Sequence, residues 1–98
     1  LHGEAVALGM RAAMQIGQAL GTTSDAMVRR VDALIRAFGL PLEAPFDEES
    51  VLQIITRDKK RVAGTQRWVL PIPEGGVCIR TDVSQEVIRA AMHVVRAT

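Results

Sequence analysis

The stretch LHGEAVALGM, residues 1–10, begins with crowded polar residues, and an almost uncharged helical run follows at once. We predict a helix over residues 4–20, ended by Gly21 in the left-handed conformation that glycine favours. The polar side chains of this helix fall on one narrow stripe: Glu4, Arg11, Gln15 and Gln18. A helix so apolar elsewhere is expected at the centre of a fold, and Gly9 and Gly17 indicate close approach of another backbone.

A second helix is predicted to begin where Thr22 and Asp25 fit the spacing of a capping box, and to end at about Phe38, before Gly39. Two ion pairs are expected on its outer side, Asp25 with Arg29 and Asp32 with Arg36. Its buried face should comprise Met27, Val28, Val31, Leu34, Ile35 and Phe38. A third helix is predicted from an N-cap at Asp47 to about Thr56. Its inner face should comprise Val51, Leu52 and Ile55.

After residue 64 the pattern of apolar residues changes from helical periodicity to alternation, which predicts a β-hairpin. Segment 65–72 alternates, with Trp68, Leu70 and Ile72 on one side, and it can pair with segment 76–81 across the turn PEGG. A last helix is predicted over residues 84–96. Its buried residues should be Val87, Ile88, Ala91, Met92 and Val95, and its solvent-facing residues Glu86, Arg89, His93 and Arg96. The sequence therefore predicts a mainly α fold, a small helical domain of about four helices with one β-hairpin.

Length, charge and cysteine content limit the kinds of protein that this chain can be. The 98 residues make at most one domain, which is short for a complete enzyme with a large cofactor. A net charge of +1 gives no reason to expect nucleic acid or an anionic membrane as a partner. The single cysteine, Cys78, excludes an internal disulfide and agrees with a reducing compartment. No apolar run is long enough to span a bilayer.

The N-terminal histidine allows two interpretations. His2 and Glu4 are either a surface histidine with a carboxylate at a helix start, or part of a metal site at a helix N-terminus. A catalytic zinc ion needs about three protein ligands, and the chain has no H-x-x-x-H or C-x-x-C spacing to supply them. If His2 binds a metal ion, its co-ligands therefore lie upstream of Leu1.

The densest charge run is DKKR at residues 58–61. It is either a solvated face or an anion site, in which a lysine at a helix end acts as a point charge for phosphate or carboxylate. PEGG is expected to be a hairpin turn and not a phosphate loop, since no helix follows it. Cys78 is expected to be packed in a strand, and His93 to be solvated.

Taken in order, these motifs resemble the C-terminal domain of 3-dehydroquinate synthase. The residues that carry the resemblance are HGEAVALGM from His2, GLP at 39–41, RDKK at 57–60 with Gly64 after it, RWVLP at 67–71, and the closing helix. The resemblance covers essentially all of the chain, and sugar-phosphate cyclases such as 2-deoxy-scyllo-inosose synthase share its first motif. It implies that residues 1–98 form the C-terminal α-helical metal- and substrate-binding domain of an enzyme whose N-terminal Rossmann-like domain binds NAD.

The resemblance also implies roles for individual residues. His2 matches a metal ligand, and it would contact the substrate through the metal. Lys59, the first lysine of the DKK motif, matches a contact to the phosphate end of the substrate, whereas Lys60 is given no contact. No residue of the chain is given a catalytic role or a contact with NAD⁺. The cofactors, Zn²⁺ (or Co²⁺) and NAD⁺, both require residues upstream of Leu1, so the chain is expected to begin within the active site of a longer protein.

The implied activity is that of a carbon–oxygen lyase acting on a small sugar phosphate. It converts 3-deoxy-D-arabino-heptulosonate 7-phosphate to 3-dehydroquinate and phosphate, in the shikimate pathway to chorismate and the aromatic amino acids. The full-length enzyme is expected to be a cytoplasmic homodimer with no nucleic-acid or membrane partner, and the isolated chain to be inactive. The alternatives are another sugar-phosphate cyclase, similar to 2-deoxy-scyllo-inosose synthase, and a non-enzymatic helical interaction module.

Overall fold

The computed structural model describes residues 2–61 and 66–97, with all of their side chains except those of residues 58–61. These residues form, in order, α1 (His2–Leu20), α2 (Asp25–Ala37), α3 (Glu48–Arg61), β1 (Trp68–Pro71), β2 (Val77–Arg80) and α4 (Gln85–Val95). The predicted mainly α fold with one hairpin is confirmed. Within the described ranges, no helix is both long and apolar enough to cross a membrane.

Helix α1 is central, as its apolar circumference predicts, because it packs against α4, α2 and β1. The fully buried core joins three elements through Ile16 of α1, Leu70 of β1 and Ala91 of α4. Partly buried apolar residues surround these three: Ala12, Ala13, Leu20, Trp68, Cys78, Val83, Val87 and Ile88. The helix begins at His2, two residues before the predicted start, so His2 lies on regular helical backbone.

Arg11 is buried, although it belongs to the polar stripe of α1. Its Nε lies 2.8 Å from Asp32 Oδ1, and its Nη1 donates to the carbonyl oxygen of Leu42. Asp32 was expected to pair with Arg36 on the outside of α2, and that expectation is wrong. A buried guanidinium must be paired, so Arg11 recruits the carboxylate that faces it across the α1–α2 contact. The predicted ion pair of Asp25 with Arg29 is also wrong, since Asp25 instead accepts a hydrogen bond from the Gln18 side chain.

Helix α2 is capped by Ser24 and not by the predicted capping box of Thr22 and Asp25. Ser24 has extended backbone, and its hydroxyl oxygen accepts a hydrogen bond from the Met27 backbone N–H at 3.2 Å. Thr22 belongs to the end of α1, where its hydroxyl donates to the carbonyl oxygen of Gly17.

The predicted buried face of α2 is too wide. Val28 and Ile35 are buried, whereas Leu34 is 58% exposed and Phe38 is 78% exposed. Helical periodicity identifies the apolar side of a helix, but it does not tell how far the neighbouring elements extend across that side. Leu34 and Phe38 lie beyond the elements that the described residues provide.

Helix α3 begins as predicted and ends later than predicted. Asp47 accepts a hydrogen bond from the Ser50 backbone N–H at 3.2 Å and another from the Ser50 hydroxyl, which lowers the pKa of Asp47. The predicted end at Thr56 is wrong, because the helix continues to Arg61. Lys59 and Lys60 therefore lie on helical backbone and not in a turn after the helix.

The hairpin and α4 agree with the sequence pattern. Antiparallel pairing puts Trp68 opposite Arg80 and Leu70 opposite Cys78. Leu70 is fully buried on the inner side, whereas Val69 is 56% exposed on the outer side. Helix α4 begins after the N-cap Ser84 and buries Ala91, Met92 and Val95, while the other two residues of its predicted inner face, Val87 and Ile88, are half-buried.

Gly17 and Gly9, the two glycines inside α1, differ in their surroundings. A Cβ added at Gly17 would lie 2.0 Å from Thr23 Oγ1 and 2.9 Å from Thr23 Cβ. Thr23 is buried and donates its hydroxyl to the carbonyl oxygen of Pro71 at 2.8 Å, so this contact joins α1 to the hairpin. A Cβ at Gly9 would meet no described atom within 4 Å. The expected approach of another backbone is therefore wrong at both glycines within the described residues: Gly17 is approached by the Thr23 side chain, and Gly9 has no close neighbour.

Gly17→Ala should destabilise the chain by about 2–4 kcal/mol, because overpacking and the lost Thr23 hydrogen bond both act against folding. Gly9→Ala is the matched control. It should raise stability by up to about 1 kcal/mol through helix propensity alone. Thermal unfolding of the two variants beside the parent chain measures both effects, and equal midpoints for the two variants would contradict the packing described for Gly17.

Candidate metal and phosphate sites

His2 occupies the first turn of α1 with its side chain exposed. It takes part in none of the side-chain hydrogen bonds or ion pairs found among the described residues. Within those residues, no group of three or more His, Cys, Asp or Glu side chains is placed to hold a metal ion. His2 thus offers one accessible imidazole, and the role of metal ligand stays a prediction.

An apolar surface lies beside His2 on the first half of α1. We name it the α1 face, and it consists of Ala5, Val6, Gly9 and Met10. Val6 is 46% exposed and Met10 is 45% exposed, and nothing lies within 4 Å of the position of a Cβ on Gly9. The C-terminal half of the same helix is buried at Ile16 and Gly17. Ala7 is buried in the first half as well, so what the described residues leave open at the end that carries His2 is the α1 face alone.

Lys59 and Lys60 lie in the last turn of α3 by their backbone. Their side chains are outside the described residues, so the predicted contact between Lys59 and phosphate stays a prediction. Lysines in a last turn also have a structural explanation, because cations there interact favourably with the helix dipole. Both interpretations of DKKR therefore remain compatible with the helix.

The start of α3 is attached to α4 by a group of contacts that we name the α3 anchor. Backbone hydrogen bonds come first: the Ala44 N–H donates to the carbonyl oxygen of Val95, and the Ala97 N–H donates to the carbonyl oxygen of Ala44, both at 3.0 Å. Ion pairs follow in the first turn of α3. Arg89 Nη1 lies 2.9 Å from Glu48 Oε2 and 2.9 Å from Glu49 Oε1.

His93 adds one more group to the α3 anchor. Its Nε2 lies 3.0 Å from Glu48 Oε1, which makes an ion pair only when the imidazole is protonated. This carboxylate oxygen is buried and accepts no hydrogen bond of good geometry. His93 and Arg89 were expected to face solvent. The His93 side chain is 63% exposed, as expected, but Arg89 is 37% exposed and is held by two carboxylates.

The remaining candidates have structural roles in the described chain. Cys78 is half-buried in β2 and packs against the core, as predicted. PEGG forms the hairpin turn, where Gly75 and Gly76 have φ values of 94° and 85° that favour glycine. Neither is placed to act on a ligand.

Sequence reasoning missed two features, the buried Arg11 and the α3 anchor. The pairing of Arg11 with Asp32 spans 21 positions, and that of Arg89 with Glu48 spans 41. Local spacing rules reach three or four positions along a helix, so they cannot find such partners. The one available signal was a pair of carboxylates, Glu48 and Glu49, directly after an N-cap.

Three curated relatives are similar in sequence to this chain over most of its length. They are each named 3-dehydroquinate synthase, and they come from Nostoc punctiforme, Colwellia psychrerythraea and Dictyoglomus turgidum. The first is 41% identical over 94 residues, which is 94% of this chain and 26% of the relative. The second is 38% identical over 91% of this chain and 26% of its own length, and the third is 38% identical over 90% and 25%. The chain thus spans about a quarter of the length of these relatives.

Comparison with models of protein families agrees with the names of these relatives. The sequence model described as 3-dehydroquinate synthase C-terminal matches residues 1–61, which include His2, the whole of α1 and α2, and α3 through the DKK motif. The matched part is more than half of the 98 residues. This chain belongs to the 3-dehydroquinate synthase C-terminal family.

Proposed function

We propose that the chain is the C-terminal part of a 3-dehydroquinate synthase. The whole enzyme would convert 3-deoxy-D-arabino-heptulosonate 7-phosphate to 3-dehydroquinate and phosphate, in the shikimate pathway that leads to the aromatic amino acids. The observation that carries this proposal is the identity of 38–41% to relatives of that name over at least 90% of the chain. Since the chain spans about a quarter of those relatives, the activity belongs to a longer protein.

The metal ion of the proposed enzyme fits His2 in part. The imidazole is accessible at the open end of α1, and neutral imidazole nitrogen is a good ligand for zinc and cobalt. Zinc in catalytic sites takes about three protein ligands, so the others would come from the rest of the protein. When bound, the metal supplies Lewis-acid polarisation of a substrate oxygen. The contribution of this chain would be to carry the imidazole of His2 on the helical backbone of α1.

NAD does not fit this chain. The sequence holds no Gly-x-Gly-x-x-Gly motif of the kind that cradles a pyrophosphate at a helix start. We therefore assign the chain no step that involves the nucleotide, and we propose that a preceding domain binds it.

Lys59 is proposed to bind the phosphate end of the substrate. An ammonium group neutralises phosphate charge and fixes the orientation of the substrate relative to the metal. The backbone supports this proposal in one respect, because α3 is a regular helix that presents its last turn away from the α3 anchor.

The α1 face is proposed to contact the preceding part of the same protein. Val6 and Met10 are about half exposed, and they continue the apolar side of a helix whose other end is in the core. Full burial of such a side chain from water is worth about 1.5–3 kcal/mol, so covering the exposed half of each would contribute roughly half of that value. If the preceding domain carries the other metal ligands, the contact that covers the α1 face would also bring those ligands close to His2. Full-length dimerisation remains part of the proposal through family resemblance.

The activity is tested by assaying phosphate release from the heptulosonate substrate. The full-length protein, supplied with NAD⁺ and Zn²⁺ or Co²⁺, should release phosphate and form 3-dehydroquinate. The isolated chain under the same conditions should release none, because one histidine does not complete a metal site.

Two results would contradict this assignment. Phosphate release by the isolated chain would show that these residues are sufficient. A full-length protein that is inactive on the heptulosonate but cyclises another sugar phosphate would favour an enzyme similar to 2-deoxy-scyllo-inosose synthase. Inactivity on every sugar phosphate would favour a helical interaction module.

A further inference from the structure

The burial of α3 is uneven along its length. Among its described side chains, residues 48–57, only Leu52 is buried, with 5% exposure. Val51 and Ile55 are half-buried, and Ile54 on the outer side is 54% exposed. One buried side chain fixes a point on a helix but not its direction. Among the described residues, the contacts of the first turn are therefore the strongest restraint on the direction of α3.

Arg89 supplies the side-chain part of those contacts from α4. A single nitrogen, Nη1, lies 2.9 Å from a carboxylate oxygen of Glu48 and 2.9 Å from one of Glu49. Successive residues project about 100° apart around a helix, so two such contacts restrain the rotation of α3 about its axis as well as its distance from α4. The Glu48 side chain is 14% exposed, which leaves this contact less screened than an ordinary surface pair. The hydrogen bond to Glu49 raises the pKa of Arg89, in agreement with an interaction that favours the charged form.

We infer that Arg89 is a positioning residue for Lys59. Lys59 lies eleven residues after Glu48, which is about 16 Å along the helix axis. A swing of about 10° at the start of α3 would displace Lys59 by about 3 Å, and displacements near 1 Å already cost catalytic efficiency. Arg89 restrains this swing from α4, without contacting the substrate. The inference rests on the phosphate-binding role proposed for Lys59.

The test uses Arg89→Met in the full-length enzyme, which keeps most of the aliphatic stem and removes the guanidinium. We expect KM for the heptulosonate phosphate, and Ki for inorganic phosphate as a competitive inhibitor, to rise about three- to tenfold while kcat falls less. Arg89→Lys should restore part of the loss, since an ammonium can reach one carboxylate at a time. Arg80→Met is the matched control, because it removes an arginine from the ion pair with Asp82 at the hairpin. It should leave both constants unchanged.

A merely structural role of Arg89 predicts a different pattern. Partial unfolding would lower the active fraction, and so would lower kcat at unchanged KM and Ki, which overturns the inference. If Arg89→Met does not fold, Glu49→Gln removes one of the two charged acceptors at a side chain that is 65% exposed. That variant should raise KM by about two- to threefold, and an unchanged KM would overturn the inference.

A double-mutant cycle separates this inference from the role of Lys59 itself. If Arg89 acts through Lys59, adding Arg89→Met to Lys59→Ala should raise KM no further than Lys59→Ala alone. Additive increases would overturn the inference and leave the proposed phosphate contact standing. A Lys59→Ala variant with unchanged KM and Ki would overturn both.

Discussion

His2→Ala in the full-length enzyme should abolish turnover and strip the protein of its bound metal ion. Loss of a partner outside the ligand shell commonly lowers metal affinity or activity 10–100-fold, so loss of a ligand should lower metal affinity by about 100-fold or more. The fold should survive, because His2 is exposed in the first turn of α1 and takes part in no described hydrogen bond. Metal content after dialysis, turnover and the thermal midpoint are the three measurements.

His93→Gln provides the matched control for this experiment. It removes the other histidine of the chain, which lies on α4 beside Glu48 and not at the open end of α1. Metal content should stay at the level of the parent protein. If His2→Ala keeps its metal ion and its turnover, His2 is a surface histidine at a helix start, as the simpler interpretation of the sequence has it.

Lys59→Ala in the full-length enzyme should lower kcat/KM by about one to two decades, mainly by raising KM. A charge-assisted contact to phosphate is worth about 1.5–3 kcal/mol, which corresponds to that loss. Lys59→Arg should restore activity only in part, because a planar guanidinium replaces a compact point charge. Stability should change little, since both lysines lie in the last turn of α3 and the helix is anchored at its other end.

Lys60→Ala is the control that decides the register of the DKK motif. The two lysines are adjacent on one helical backbone, and the motif resemblance gives the phosphate contact to the first of them. Lys60→Ala should therefore cost less than Lys59→Ala at the same ionic strength. Near-parental values for both variants would make DKKR a solvated charge run, and a larger loss at Lys60 would move the phosphate contact by one residue.

The elements of this fold could be predicted because each has a local signal. Apolar periodicity found the four helices, and alternation around PEGG found the hairpin with Leu70 inside. The cap at Asp47 was predicted from a side-chain oxygen directly before a helix, whereas Ser84, placed inside the predicted helix, is its N-cap. Ser24 was missed because Thr22 and Asp25 offered a competing motif two residues earlier, whereas Thr22 lies at the end of α1, where its hydroxyl donates to the carbonyl oxygen of Gly17.

The ion pairs between distant helices could not be predicted from the sequence. Arg11 finds Asp32 and Arg89 finds Glu48 because packing brings distant helices together, and no spacing rule connects those positions. The exposure of Leu34 and Phe38 was missed for a related reason, since periodicity describes a helix and not its neighbours. For the candidate site, the residue pattern drew attention to His2 and to DKKR but left two interpretations of each open. Motif resemblance alone gave His2 and Lys59 their roles, which wait for the experiments above.

The contact of Gly17 with Thr23 lies at the opposite end of α1 from His2. A small change in the direction of the helix at this contact therefore becomes a large displacement at His2. Fifteen residues separate Gly17 from His2, or about 22 Å of axis. If His2 is the metal ligand proposed above, a tilt of about 5° at the Gly17 end would move that ligand by about 2 Å, whereas metal–ligand distances tolerate about 0.2 Å. Substitutions around Thr23 and Pro71, far from any chemistry, would then behave in a mutational scan as though they were neighbours of the metal. Distance from the active centre would be a poor guide to tolerance in this protein, and the direction of α1 a better one.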